Sequence, residues 1–531
     1  IEVDSPVGVG AVNPGPVTFG STSGLVGATS GGSVYQINGL PGKADAFQGF
    51  KVTDGKLDIA DGGFLALSHV DGSGVDLGFD ELSGDFEVRL TASSLGEIDV
   101  TGNAGDIALL GTSGSAFGGA FVGGDAGDVL VDLEDSKATG PVEVGGEAED
   151  LGVFALDSLL GDVLVDGPVD TAMVEVIGSE VGLVGAGGVL GKTQIVSVDS
   201  ELDGFESVGD VGAIQADLQD SEVGAIQVDG DAGNSSVFMD ESELGFFTVT
   251  GDTPTLDLTL VNESEAGIID VEGNLGKGSL AVNPNSSVDL LAAGAVETSL
   301  DVAVIDGSLV DLVVDGNAQT VDLDVTDRGS VFGVEIGGKV DEFDASVSGK
   351  DSAIGAIDVN EAEDFFLVAE DQGTIAEGGK VSITGDVDFL DVSASGVKTE
   401  IGSIEVGGDA RDVDLLAVDS GTIGGFAAAG ETDNVSVEGD AATVGDISAA
   451  AVNFGLGIVG DDLTVGNVDV TGGVNNLLYD GADRTEIGDT TIGGPVTNGT
   501  IILDESGIGG FTSGTIINLL DVEAVDSETG D

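Results

Sequence analysis

The feature that most constrains this chain is a repeat of 21 or 22 residues. Ser221–Asp231 reads SEVGAIQVDGD, Ser242–Asp252 reads SELGFFTVTGD and Ser264–Asn274 reads SEAGIIDVEGN, so the Ser, Gly and apolar positions hold while the other residues change. The serine recurs at positions 93, 115, 136, 158, 179, 200, 221, 242, 264, 286, 308, 330 and 352. A register kept over so many units indicates a repeat architecture.

A glycine column follows the serine column at a distance of three residues. It occupies positions 96, 118, 161, 182, 224, 245, 267, 333, 355, 402, 424, 445, 466, 488 and 509. The serine register continues through Thr374, slips by three residues at Thr399, and returns at Thr485 and Ser506. The repeat therefore extends to about residue 515 and gives about twenty units.

Within each unit, apolar and polar residues alternate as they do in a half-buried strand. Ile226 and Val228 should point one way and Gln227 the other. A second strand precedes each serine, and a Gly-Asp or Gly-Asn turn separates the two strands. This pattern predicts an all-β chain, a parallel β-solenoid of about twenty 21–22-residue coils. The rival of similar period, a leucine-rich repeat, needs a leucine-dense unit, whereas Val, Ile, Leu and Phe interchange here.

The serine column has two interpretations. A small residue fits a tight inward corner, where stacked hydroxyls could bond one another. Alternatively, a row of hydroxyls could bind a ligand or carry glycans. The first interpretation is favoured, because the serine recurs in every coil and does not single out one site.

The charge balance restricts the partners of this chain. Asp and Glu number 98 against 14 Lys and Arg, a formal net charge of −84. Such a chain repels nucleic acid and anionic membrane surfaces. Stacked strands lie about 4.8 Å apart, within the Debye length of about 8 Å at physiological salt. Neighbouring carboxylates should therefore repel one another, and cations, Ca²⁺ among the divalent ones, are the expected partners.

Acidic turns are the candidate metal ligands, because Ca²⁺ prefers carboxylate and carbonyl oxygens. The candidates are Asp125, Asp128, Asp231, Asp252 and Asp409. The stretch GGDAGDVLV, at 123–131, resembles one unit of the RTX calcium nonapeptide with Ala126 in place of a glycine, and this resemblance implies the RTX roles for Asp128 and Leu130. The alternative is that Asp125 and Asp231 only make Asx-turns.

Composition shifts divide the chain into three parts. Residues 1–90 are rich in Gly, Pro and Ser and form a predicted cap or assembly segment, 91–515 form the solenoid, and 516–531 form an acidic C-terminal cap or tail. The sequence contains no run of 18 apolar residues and therefore predicts no membrane span. The chain starts at Ile1 rather than Met, and we expect a secreted protein whose signal peptide has been removed.

The period and fold resemble those of pectate-lyase-like β-helix enzymes, but the residues do not suggest catalysis. The arginines are scattered at 89, 328, 411 and 484, and there is no Trp. His69 has no nucleophile at a spacing that suggests a triad. We predict that the chain is not an enzyme, and a β-helix polysaccharide lyase or hydrolase stays an alternative.

The repeat from Ser93 to Ser506 resembles the β-strand-repeat surface proteins of bacteria and archaea: S-layer components, adhesin stalks and filament subunits. The resemblance rests on architecture and acidity and implies a structural role outside the cell. The expected function is a structural protein that self-assembles into a surface layer or extracellular filament with the help of cations. The alternative is an adhesin or ligand-binding stalk whose first 90 residues recognise a partner.

Overall fold

The computed structural model describes residues 85–525 apart from Gly378, together with the backbone of eight short strands between residues 17 and 79 and of the strand Glu528–Thr529. The described chain is all-β and contains no helix, and hence none that could span a membrane. It is a parallel β-solenoid of about twenty turns, which confirms the predicted fold. It divides into two compact units, residues 1–254 and 255–531. Most of the predicted N-terminal segment, with His69, lies outside the described residues.

Each coil contains three strand segments, named A, B and C on the coil that begins at Ser136. Segment A is Lys137–Ala138, segment B is Val142–Val144 and segment C is Ala148–Leu156. A corner separates A from B, and a turn at 145–147 separates B from C. A residue with positive φ, here Asp157 at 49°, then leads to the next serine corner, Ser158. In later coils the segments join into longer strands.

The strands before residue 85 are described by backbone alone: β1 (Val17–Phe19), β2 (Val26–Thr29), β3 (Gly32–Asn38), β4 (Asp45–Ala46), β5 (Phe50–Val52), β6 (Gly63–Ser68), β7 (Val70–Gly72) and β8 (Leu77–Phe79). β3 pairs in parallel with β6, and β6 with Phe86–Thr91. β2 pairs with β3 in the antiparallel sense. The parallel ladder thus includes strands on both sides of residue 85.

The strands of the first unit after residue 85 follow the order C, A, B and then C again: β9 (Phe86–Thr91), β10 (Ser94–Leu95), β11 (Glu97–Val100), β12 (Ile107–Thr112), β13 (Ala116–Phe117), β14 (Gly119–Val122), β15 (Val129–Glu134), β16 (Lys137–Ala138), β17 (Val142–Val144), β18 (Ala148–Leu156), β19 (Leu159–Leu160), β20 (Val163–Val165), β21 (Val169–Ile177), β22 (Glu180–Ala186), β23 (Leu190–Val198), β24 (Glu201–Ser207), β25 (Val211–Gln219), β26 (Glu222–Val228), β27 (Ala232–Asp240) and β28 (Glu243–Val249). The unit boundary falls within β29 (Thr253–Val261).

The strands of the second unit are longer because segments merge: β30 (Glu265–Val282), β31 (Ser287–Ile305), β32 (Ser308–Val314), β33 (Ala318–Thr326), β34 (Ser330–Ser348), β35 (Ala353–Glu370), β36 (Thr374–Ile383), β37 (Val387–Ser395), β38 (Glu400–Val406), β39 (Ala410–Val418), β40 (Thr422–Asp440), β41 (Thr443–Asp461), β42 (Thr464–Val465), β43 (Val468–Val470), β44 (Val474–Ala482), β45 (Glu486–Ile487), β46 (Thr490–Asp504), β47 (Gly507–Ile508), β48 (Phe511–Val525) and β49 (Glu528–Thr529).

Parallel pairing stacks each core residue on its counterpart one coil later. One column of the first unit consists of the buried residues Val131, Val153, Val174, Ile195, Ala216 and Val237. A column of the second unit consists of Leu300, Val321, Phe343, Phe365, Leu390 and Val413, all buried. The rings of Phe343 and Phe365 stack with centroids 4.7 Å apart. The core of each unit is therefore a set of continuous apolar columns.

The predicted alternation within the strands is confirmed. Ile226 and Val228 are fully buried, whereas Gln227 between them is half-buried on the outer face. The same holds in the second unit, where Ile269 and Val271 are buried on either side of Asp270. The alternation of apolar and polar residues in the sequence predicts correctly which side chains face the core, because one face of each strand packs into the core.

The serine column is confirmed up to Ser286 and again at Ser352, but Ser308 and Ser330 lie one residue beyond the corner. Serines 93 to 286 of the series lie buried at the corner between segments C and A. Ser308 instead pairs with Ser287, one position beyond the corner, and Ser330 pairs with Ser308; both are only half-buried. Thr374 follows in the same outer column. The corner positions there belong to Gly307, Gly329 and Gly373. In these coils glycine holds the corner and the serine or threonine lies one position beyond it, which the sequence register alone could not show.

The slip of three residues has a definite place. Ile354 pairs with Ile375, but Ile357 pairs with Val381, so the later coil holds three extra residues between segments A and B. The register returns in the following coil, where Ile375 pairs with Ile401. The insertion lies at a corner and leaves the paired strands on either side intact.

Segment C strands of the first unit carry three fully buried hydroxyl groups that have no hydrogen-bond partner within the described residues, on Thr193, Ser197 and Thr253. Thr193 and Ser197 both lie on β23. Thr193 stacks between Ala172 and Ile214. A buried hydroxyl without a partner reduces stability because it has lost its hydrogen bonds to water.

We expect Thr193→Val to raise the free energy of unfolding by about 1 kcal/mol, because valine has the same shape without the unpaired hydroxyl. Ser200→Ala is the matched control at a corner. The Ser200 hydroxyl donates to the Val198 carbonyl at 2.6 Å and accepts from the Ser179 N–H at 3.1 Å, so its loss should cost about 1–3 kcal/mol. Denaturant midpoints of the two variants measure both effects. A stability loss in Thr193→Val would contradict the first expectation.

Candidate functional site

The serine corner is a ladder of hydrogen bonds from coil to coil. The Ser136 hydroxyl donates to the Glu134 carbonyl at 2.8 Å and accepts from the backbone N–H of Ser115 at 3.2 Å. Ser158 repeats this with the Leu156 carbonyl at 2.7 Å and the Ser136 N–H at 3.0 Å. Each serine therefore uses its hydroxyl both within its own coil and toward the preceding one.

This geometry corrects one part of the structural interpretation of the column. Stacked hydroxyls were predicted to bond one another, but each bonds backbone groups instead. The reason is the residue before the serine, which has positive φ, for example Asp135 at 48° and Asp199 at 49°. That conformation turns the chain sharply, so the serine N–H of one coil faces the hydroxyl of the next.

The acidic turns between segments B and C form a second ladder. The backbone N–H of Asp231 donates to Asp210 Oδ1 at 3.0 Å, and Asp231 Oδ1 in turn accepts from the N–H of Asp252 at 2.9 Å. In the second unit, Asp409 Oδ1 accepts from the N–H of Glu431 at 2.8 Å. A carboxylate that accepts a backbone N–H is held in place by a charge-assisted bond.

The same ladder explains why glycine precedes the acid in these turns. A Cβ atom on Gly251 would lie 2.2 Å from Asp231 Oδ1, and one on Gly430 would lie 2.2 Å from Asp409 Oδ1. The aspartate side chain of one coil thus fills the space beside the glycine of the next. Gly and Asp therefore recur together, because the Asp side chain of one coil needs the space that a glycine leaves in the next coil.

The five predicted metal ligands take up three separate places. Asp125 and Asp128 share one turn, Asp231 and Asp252 take equivalent places in successive coils, and Asp409 belongs to the second unit. Asp125 Oδ1 accepts from the N–H of Glu147 at 3.2 Å. Among the described residues, no group of three or more His, Cys, Asp and Glu side chains is placed to hold one metal ion. Ligand roles for these aspartates stay a prediction.

Asp128 lies close to the acidic residues of the adjacent turns. Burial raises the pKa of its carboxyl, and the nearby carboxylates of Asp106 and Asp150 raise it further. A hydrogen bond from the Asp150 backbone acts in the opposite direction. Stacked turns therefore place like charges close together, as the coil spacing predicted.

A larger set of stacked carboxylates lies on the outer face of segment C in the second unit, and we name it the carboxylate column. Its members are Asp301, Asp322, Asp344, Asp391 and Asp414, with Phe366 in the place between Asp344 and Asp391. The prediction did not include it. The available signal was an Asp recurring after 21 or 22 residues from Asp301 to Asp344 and after 23 from Asp391 to Asp414, but serine and glycine were followed instead.

The carboxylate column is under electrostatic strain. Partial loss of water raises the pKa of Asp344, and the carboxylates of Asp322, Glu342 and Asp324 raise it further. Partial burial also raises the pKa of Asp391. Protonation or a bound cation would relieve this repulsion, because either removes like charge from adjacent coils.

The four arginines do not converge on one place. Arg89 pairs with Glu87 at 2.7 Å, Arg411 with Asp388 at 3.0 Å and Arg484 with Asp462 at 2.6 Å. Arg328 pairs with Asp306. All four side chains are exposed, so each ion pair adds little to stability. The cationic side chains thus neutralise single carboxylates at scattered points.

A groove of about 670 Å³ follows the serine corners of the first unit across four coils. One wall consists of the positive-φ residues Asp135, Asp157 and Asp199, and the other includes Glu180 and Glu201. The lining contains these five acidic residues and one cation, Lys137, so the groove is negative on balance and attracts cations.

The chain has no match among known proteins by three comparisons. No family model, no curated protein and no solved structure matches it.

We expect Gly430→Ala to destabilise the second unit by about 1–3 kcal/mol, because its Cβ has no room beside Asp409 and the Gly408 carbonyl. Gly457→Ala is the matched control, since a Cβ there meets nothing within 4 Å, and alanine should be neutral or slightly stabilising. Thermal unfolding of both variants measures the difference. Equal melting temperatures would contradict the packing of glycine against the acid ladder.

We expect Asp344→Asn/Asp391→Asn to raise the melting temperature at pH 7. Their raised pKa values mean that the folded state binds protons more tightly than the unfolded chain, so the ionised groups destabilise the fold at neutral pH. The gain should correspond to roughly 2–4 °C per kcal/mol relieved and should shrink as the pH falls toward about 4, where wild type is protonated as well.

Asp289→Asn/Asp311→Asn is the control for net charge, because it removes two exposed carboxylates of the same unit that lie outside the carboxylate column. An equal gain from both pairs, or a gain that does not depend on pH, would show that the column has no special repulsion.

Proposed function

We propose that this chain is an extracellular structural protein that assembles with copies of itself into a surface layer or filament, with cations between its acidic faces. The observation that best supports this proposal is that the repeated polar side chains form hydrogen bonds between adjacent coils. Ser136 and Asp231 each bond the backbone of an adjacent coil. The residues that recur in every coil thus hold the coils together.

A structure built from equivalent coils presents a regular outer surface. The carboxylate column repeats one chemical group at the coil spacing of about 4.8 Å. Regular spacing suits a lattice or fibre, because the same contact can be made many times. Such a surface repels its own copy unless the charge is neutralised, and divalent cations neutralise it most efficiently by bridging two carboxylates.

The location outside the cell is part of the proposal and follows from the resemblance to β-strand-repeat surface proteins. The net charge of −84 also argues against nucleic acid and anionic lipid as partners. Cations and further copies of the chain are the partners that the chemistry favours.

Electron microscopy of the purified protein, with millimolar Ca²⁺ and again after chelation, tests the proposal. We expect ordered sheets or fibres with Ca²⁺ that dissolve on chelation. NaCl at equal ionic strength is the control that separates screening from bridging by divalent ions.

Single particles in both conditions would contradict self-assembly and favour the adhesin stalk. Assemblies that form equally well in NaCl alone would keep the structural role but remove the need for divalent cations.

A further inference from the structure

The outer face of segment C carries a set of apolar side chains in the middle of the first unit, on the strands β18, β21 and β23. We name this set the apolar face, and its members are Phe154, Leu156, Met173, Ile177, Val196 and Val198. Leu156 and Met173 are 40% and 37% exposed, and the other four are half-buried. Paired coils lie on both sides of the apolar face, with β15 before it and β25 after it. It is therefore a face of the sheet and not an open edge.

Parallel stacking arranges the apolar face in two columns with polar ends. The first column consists of Asp132, Phe154, Glu175, Val196 and Asp217. The second column consists of Glu134, Leu156, Ile177, Val198 and Gln219. The coils before and after the apolar face thus carry polar residues at the same outward positions, and only Glu175 interrupts the face itself.

The strands of the apolar face are apolar on both sides. Residues 153–156 read VFAL and residues 195–198 read IVSV, so the alternation of a strand with one solvated side is lost. Nearly continuous apolar runs are typical of strands that are covered on both faces. The core covers the inner side, whereas the described part of the chain leaves the outer side open at Leu156 and Met173. This sequence pattern therefore favours a partner on the outer side.

A glycine makes the apolar face flat. A Cβ atom on Gly152 would lie 3.0 Å from the ring of Phe154 and 3.2 Å from the side chain of Leu130. The phenyl ring thus leans over Gly152 toward Leu130 rather than standing out into water. A flat apolar surface can be covered by another surface without a change in the backbone.

Acidic residues surround the apolar face. We name them the acidic rim, and its members are Asp132, Glu134, Asp150, Asp157 and Asp217. Lys192 on β23 adds one positive charge beside them, so the surroundings are negative on balance. An apolar centre with a polar rim is the usual anatomy of a protein interface. Here the rim has one sign of charge and selects for a cationic partner.

The area of the apolar face indicates the size of the partner. Three coils about 4.8 Å apart, each with three outward positions about 6.6 Å apart, give a face of about 300 Å². A stable complex of two folded proteins buries about 800 Å² on each partner. A second copy of this chain would also bring its own acidic rim against the first, and like charges across an interface oppose binding. Size and charge therefore both favour a short cationic segment.

We infer that the apolar face binds a basic amphipathic segment of a partner protein. The apolar side chains of the segment cover Phe154, Leu156 and Val196, and its Lys or Arg side chains pair with the acidic rim and with Glu175. Asp132 and Asp217 lie four coils apart, which is about 19 Å. An α-helix is about 10–12 Å wide with its side chains, so a helix with basic flanks fits between them. Lys and Arg stems extend along apolar surfaces while their charged ends reach outward.

This partner is additional to cations and to copies of the chain, and the inference does not depend on self-assembly.

Fluorescence anisotropy with the full-length protein tests the inference. The probe is a labelled peptide of Leu and Lys with about 14 residues, or four helical turns, whose leucines lie on one side of the helix. We expect Phe154→Thr/Val196→Thr to raise the Kd of this peptide at least about tenfold, because it removes the centre of the apolar contact. Val310→Thr/Phe332→Thr is the matched control in the second unit, where these residues are 36% and 64% exposed. It should leave the Kd unchanged, and neither variant alters the net charge.

A second pair of variants tests the acidic rim and does not touch the apolar face. We expect Asp132→Asn/Asp217→Asn to weaken binding of the same peptide and to reduce the dependence of the Kd on salt, because both carboxylates attract its lysines. Asp289→Asn/Asp311→Asn removes the same charge from the second unit and should have the smaller effect. Equal effects of the two pairs would show that only the net charge attracts the peptide, and the inference would be wrong.

Two further outcomes would overturn the inference. A peptide of Gly and Lys measures the general attraction of a polyanion for cations. If it binds as tightly as the Leu and Lys peptide, or if the two Thr double variants lose equal affinity, the apolar face is not the site. If light scattering shows that wild type self-associates and that Phe154→Thr/Val196→Thr does not, the partner is a second copy instead of a basic segment.

Discussion

The structure depends on one constraint: in a parallel solenoid each residue faces the residue 21 or 22 positions later. Like residues therefore meet in many columns. For Phe343 and Phe365 this gives ring stacking, and for serine and asparagine it gives ladders of hydrogen bonds. For Asp322 and Asp344 it gives repulsion, which raises the pKa of each carboxyl after the effect of burial. The same stacking thus produces both the stability and the electrostatic strain of the molecule.

Much of the fold could be predicted from the sequence, because the constraint acts on sequence directly. Stacking of coils requires a sequence repeat with the length of one coil. The alternation of apolar and polar residues around Gln227 indicates strands with one buried face. The errors arose where local backbone geometry matters. Gly307 took the corner that Ser308 was expected to occupy, because this corner follows Ser286 after 21 residues rather than 22. The bond that the Ser136 hydroxyl accepts from the backbone N–H of Ser115 depends on positive φ at the residue before the serine, which sequence spacing does not reveal.

The candidate site was predicted only in part. The Gly-Asp turns were located correctly, but their role in joining coils through Asp231 Oδ1 and the next backbone N–H was not foreseen. The carboxylate column was missed because acids occur throughout the chain. With 98 acidic residues, any single spacing of Asp looks accidental. Only the pairing of Asp322 with Asp344 shows that these acids share a face.

The insertion near Ile375 shows how such a chain can change. Three extra residues are inserted at a corner, and the register is restored within one coil. The pairing of the strands on either side is therefore unchanged. Corners are therefore sites where evolution or an engineer can add loops, while the columns between them tolerate little change in length. Such a scaffold can acquire surface decoration without rebuilding its interior, and the spacing between decorations is set in steps of one coil.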